Sequence, residues 1–89
     1  MHGKRKTDIK LADFDFLRAE LLTGYTLCNI ALCSLHEGKK ARNQANARKA
    51  YDTILRFLPG SHLEAEEAAE IKSKLEQLKS SLRLLGEQI

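Results

Sequence analysis

Apolar residues in this chain recur at steps of three and four through nearly its whole length. Phe14, Leu17, Leu21, Tyr25, Cys28, Leu32 and Leu35 draw one stripe down a helix expected over about residues 8–36. Thr7 or Asp8 would cap its start and Gly38 would end it, while Gly24 inside it would permit a bend or a close approach. Ala47, Tyr51, Ile54 and Leu58 follow the same rule, with Ala50, Leu55 and Phe57 beside them, and predict a second helix over about 39–58. Pro59-Gly60 stops it. Ser61 and Glu64 have the spacing of a capping box for a third helix over about 61–86. In that helix Ala68, Ile71, Leu75, Leu78, Leu82 and Leu85 form a heptad seam, and Gly86 suits its end. Its acids, Glu64, Glu66, Glu67 and Glu70, crowd the first turns and its bases, Lys72, Lys74, Lys79 and Arg83, come later, as the helix dipole favours.

Short links at 37–38 and 59–61 force neighbouring helices antiparallel. The expected fold is all-α, an up-down-up three-helix bundle over residues 8–89 preceded by a flexible basic arm at 1–7. Helices of about 1.5 Å rise per residue make such a bundle elongated. Leu75 and Leu78 in the seam, with Tyr51 opposite, are its expected core.

At 89 residues there is room for one small domain, and the complete absence of Val rules out an all-β fold. Hydrophobic residues at 43% make the chain too apolar to be disordered. The net charge of +3 is unevenly spread. Residues 37–58 carry six basic groups against two acidic, and residues 59–89 four against six, so opposite charges on neighbouring helices assist their pairing. No apolar core of a signal peptide follows Lys4-Arg5-Lys6, because Asp8, Asp13 and Asp15 intervene. The uncharged run from Leu21 to Leu35 is too short for a membrane span. Cys28 and Cys33 point roughly 140° apart on a helix and cannot bridge each other, which reads as two reduced, buried thiols in a cytoplasmic protein.

Between Ala47 and Pro59 the second helix resembles the second helix of a tetratricopeptide repeat, with Ala47, Tyr51, Ile54, Leu55 and Pro59 at the small, aromatic, apolar-pair and proline positions. It is also similar to the three-helix MIT domain of trafficking proteins. The likeness covers about 13 residues. Ser34-Leu35 stand where the repeat's first helix would carry Leu-Gly, and no second copy follows at a 34-residue period. The resemblance implies a module that binds peptides or helices in grooves.

Two faces are candidates for function. Opposite the main stripe of the first helix lie Phe16, Ala19, Thr23, Leu27 and Ile30. A helix packed on two others buries a wide arc, but a second apolar face this far round points to a partner surface, a homodimer first of all. The contact residues expected are Phe16, Thr23, Leu27 and Ile30. In the second helix Arg42, Lys49 and Arg56 repeat every seven residues, and with Lys4, Arg5 and Lys6 they are candidates for contacting nucleic-acid phosphates. No aromatic is interleaved with them, so a solvated face is the simpler reading. Asn43, Gln44 and Asn46 crowd the start of the same helix, with Asn43 towards its apolar side. Cys33 and His36, three apart, do not make the four converging ligands of a structural zinc. No phosphate loop, nucleophile with a base, or paired catalytic acids are legible, so the expectation is no enzyme, no cofactor, no metal and no small-molecule substrate.

Overall fold

A computed structural model describes residues 5–89, with side chains from Asp13 onwards. The chain forms α1 (Arg5–Cys33), α2 (Glu37–Phe57), a single 3-10 turn (Leu58–Gly60) and α3 (Ala65–Leu84), with no strand among the described residues. This is the all-α three-helix bundle that the periodicity predicts, elongated to 50 × 24 × 17 Å. The third helix is shorter than expected.

The helix ends differ from the sequence reading for local reasons. α1 begins at Arg5, so Thr7 and Asp8 lie inside it rather than capping it. It ends at Cys33, five residues before Gly38, which instead sits in the first turn of α2. The stop comes from Ser34, whose Oγ accepts from the His36 N–H and lies 3.2 Å from the His36 carbonyl. His36, in extended conformation, then caps α2 by accepting the Lys39 N–H on Nδ1 at 3.1 Å. Leu35 therefore falls in the link and is fully exposed, not on the buried stripe, and Leu32 is also exposed.

The expected Ser61–Glu64 capping box moves by one turn. Ser61 Oγ donates to the Phe57 carbonyl at 2.7 Å, and the His62 N–H donates to Asp13 Oδ2 at 2.8 Å, which holds residues 61–64 extended. Glu64 becomes the N-cap, and Glu67 returns a carboxylate oxygen to the Glu64 N–H at 2.9 Å. The hydrogen bond from the His62 backbone holds the Asp13 carboxyl below its ordinary range. At the other end Gly86, at φ +107°, closes α3 as predicted. The Gly86 N–H reaches the Arg83 carbonyl and the Glu87 N–H reaches the Leu82 carbonyl, each at 3.0 Å, the two bonds of a Schellman turn.

Among the residues whose side chains are described, twelve form the buried core. α1 supplies Leu17, Leu21, Cys28 and Ala31, α2 supplies Ala47, Ala50, Tyr51 and Ile54, and α3 supplies Ile71, Leu75, Leu78 and Leu82. Leu75, Leu78 and Tyr51 are thus in the core as the seam predicts. α1 runs unbroken through Gly24, whose role is close packing. A Cβ there would stand 2.8 Å from Leu78 Cδ2 and 3.6 Å from the Ala50 Cβ. Above it the Tyr25 hydroxyl lies 2.9 Å from both the Lys74 carbonyl and Gln77 Oε1, tying α1 to α3, and burial pushes the phenol upward.

The residues after α3 fold back onto α2. Glu87 accepts from Gln44 Nε2 at 2.6 Å and from Arg48 at 2.7 Å, and Arg48 also donates to Asp52 at 3.0 Å. The Gln44 and Arg48 hydrogen bonds hold the Glu87 carboxyl below its ordinary range, more strongly than its partial burial raises it. A depressed folded-state pKa means that this clamp contributes its full stability above the ordinary carboxylate range. The contribution is lost as pH falls through the lowered value. Glu87→Gln is therefore expected to lower stability at pH 7 and to flatten the acid limb of a stability–pH curve followed by urea titration. An unchanged acid limb would assign that limb to other carboxylates, Asp13 first.

Candidate functional site

Along α1 the inward side is filled by α2 and α3, and the outward side is left to solvent. That outward side is uncharged for a long stretch, because no Asp, Glu, Lys or Arg occurs from Leu21 to Leu35. Charge depletion combined with exposed aromatic and aliphatic side chains marks the core of a protein contact rather than an ordinary solvated face.

Of the four expected contact residues, Phe16, Thr23 and Ile30 lie together on this side, seven residues apart. Phe16 is 42% exposed and Ile30 39%. Leu27 is different: it is half-buried and packs against the core cluster, so much of its surface serves the fold. The wide arc of burial therefore reaches Leu27 but stops short of its neighbours.

Phe57 of α2 was legible only as a residue beside the core stripe. It is 49% exposed, and its ring meets Phe16 edge to face with centroids 5.6 Å apart and planes at 84°. Such a pair is worth about 0.5–1.5 kcal/mol beyond area burial. Here it presents a preformed aromatic ledge between α1 and α2. A shallow hollow of ≈ 380 Å³ opens beside this ledge, lined by Asp13, Phe16, Arg56, Phe57, Gly60 and Ser61. A second hollow of ≈ 480 Å³ lies at the other end of α1, where Ile30, Cys33, Leu35 and Lys39 line it. Both are open rather than enclosing.

Thr26 and Cys33 also belong to the outward side and are exposed. Neither is strongly apolar, so hydrophobic patterning does not place them on a contact face, although they continue the three-four spacing of Phe16, Thr23 and Ile30. Leu22, 68% exposed, edges the outward side next to a cleft between α1 and α3 lined by Asp15, Arg18, Tyr25, Lys74 and Gln77. Arg18 there is held over the Phe14 ring at 5.3 Å and lies 3.5 Å from Glu70.

The basic residues separate. Arg42, Lys49 and Arg56 are exposed on one outer face of α2 and form no ion pair with any described residue. Lys4 and the side chains of Arg5 and Lys6 lie outside the described residues. Arg48 faces the other way, into the Glu87 clamp. Asn43 is engaged within its own helix, donating to the Lys39 carbonyl at 2.9 Å, and Gln44 is held by Glu87.

Cys28 and Cys33 are both free thiols, but Cys33 is exposed rather than buried as expected, because it lies at the last residue of α1 on the helix's outward side. Cys28 is buried, and burial pushes its thiol up, away from the reactive thiolate. Among the described residues no group of three or more His, Cys, Asp or Glu could hold a metal ion, and no helix is long and apolar enough to cross a membrane. No protein-family model matches the chain, and comparison with curated proteins and with solved structures finds no match.

Proposed function

We propose that this chain is a small helical-bundle interaction module, not an enzyme, that works by helix-to-helix recognition and associates with itself. The observation that carries this reading is the Phe16–Phe57 aromatic ledge continued by Thr23 and Ile30 along α1, which carries no charge from Leu21 to Leu35. Exposed aromatics held rigid by one another lose little conformational freedom on binding, which is why such residues anchor contacts. The likeness of residues 47–59 to groove-binding helical modules points the same way.

Sedimentation equilibrium over a range of concentrations tests it. The native protein is expected at twice the 10.0 kDa of one chain. Ile30→Asp puts an unpaired charge into the contact and is expected to weaken association by about 100-fold or more, with helicity retained. Thr23→Arg gives the same readout from an exposed position outside the core. A native mass of one chain at every concentration overturns self-association.

A further inference from the structure

The outward side of α1 is a second seam. Phe16, Ala19, Thr23, Thr26, Ile30 and Cys33 follow one another at steps of 3, 4, 3, 4 and 3, and all six are exposed. That spacing is the one by which two helices pack in a left-handed pair. The neighbouring seam of α1, through Leu17, Leu21, Gly24 and Cys28, is already taken by α2 and α3. Resting on the self-association proposed above, we infer that the occupant of the second seam is α1 of another copy, running antiparallel, with a two-fold axis crossing the helix between Thr23 and Thr26.

Side-chain size sets the direction. In the antiparallel register Phe16 lies opposite Cys33 of the second copy, Ile30 opposite Ala19, and Thr23 opposite Thr26, so each large group meets a small one. A parallel pair would stack Phe16 on Phe16 and Ile30 on Ile30, and would leave Ala19 facing Ala19. Layers that alternate between crowding and voids pack poorly. Charge acts in the same sense. The positions flanking the seam are 15, 20, 22, 27, 29 and 34, and their only charged residues are Asp15 and Glu20. In a parallel pair Asp15 would face Glu20 of the other chain, two like charges across the contact. The antiparallel pair sends them to opposite ends.

The native thiols supply the probe. Cys33 is exposed and Cys28 is buried, so a nitroxide label goes onto Cys33 alone. In the antiparallel pair the point opposite Cys33 is Phe16, 17 residues away, which separates the two labels by about 25–35 Å once their reach is added. A double electron–electron resonance distance in that range, on a sample whose mass is that of two chains, is the expected result. A distance below about 20 Å overturns the antiparallel arrangement while self-association stands. A mass of one chain for both labelled and unlabelled protein overturns both. If the label itself blocks pairing, Phe16→Cys decides. Oxidised glutathione then takes two electrons from two thiols, releasing two glutathione thiols as one disulfide forms. The disulfide expected joins position 16 to Cys33. One chain cannot form it, because the two positions lie about 26 Å apart on a single helix. A dimer yielding only 16–16 or 33–33 links, or none, refutes the antiparallel seam.

Discussion

Leu78→Ala is expected to destabilise the bundle by about 3–5 kcal/mol, the upper part of the range for removing a buried leucine. Leu78 is completely buried in the second half of α3, and its two methyl groups lie directly against α1 at Gly24. Cavities cost least where a neighbouring side chain can swing in to fill them. At this site the nearest residue of α1 has no side chain to swing. A domain of this size has total stability on the order of 5–10 kcal/mol, so the loss amounts to a large fraction of it. Urea denaturation of the variant and the parent, compared at unchanged slope, measures it. A loss of less than about 1 kcal/mol would mean that α3 does not pack across α1 at this point. Leu75 belongs to the same seam but retains slight exposure, and its truncation is expected to cost less.

Gly24→Ala is expected to change sign with its surroundings. Placed in the native chain, the new Cβ would come within 2.8 Å of Leu78 Cδ2, so a fully buried leucine must shift in a filled core. Overpacking of this kind costs about 1–3 kcal/mol, against a gain of about 1 kcal/mol from replacing glycine in a helix. The net result is a loss. In the Leu78→Ala background the obstruction is gone, and the same methyl group enters the vacated space. The substitution there is expected to restore about 1–2 kcal/mol by adding helix propensity and part of the missing volume. The four proteins form a double-mutant cycle whose coupling should be on the order of 2 kcal/mol. Additivity within about 0.5 kcal/mol would show that the two residues do not share a contact.

These two positions also show how far the sequence could be read. Three helices and most of the core followed from spacing, and their antiparallel order from the shortness of the links. The burial of Leu17, Leu21, Cys28, Ile54, Ile71 and Leu82 is a direct consequence of three-four periodicity. So was the stop at Gly86, since glycine adopts positive φ without strain. The misjudged ends around the two links have one cause in common. At Ser34, His36, Ser61 and His62 the polar side chains and backbone bond to groups other than the partners their local spacing suggests. Two of those bonds reach 49 residues along the chain, from His62 to Asp13, and no local pattern encodes them.

For the candidate site, the apolar second face of α1 was visible in the sequence through Phe16, Thr23 and Ile30, but its limits were not. A helical wheel assigns direction around a helix and says nothing about how closely the neighbours approach. The closeness of α1 and α3 at Gly24, and the reach of α2 alongside α1, drew Leu27 inward and left Thr26 and Cys33 outside. The Phe16–Phe57 ledge needed two helices side by side in a fixed register before it existed at all. The helices, their buried stripes and their antiparallel order were readable along the chain, because periodicity within a segment and the length of a link are local properties. Which second-face residues stay exposed, where α3 starts and which side chains meet across helices depend on distances between segments remote in sequence, and these emerge only when the helices pack.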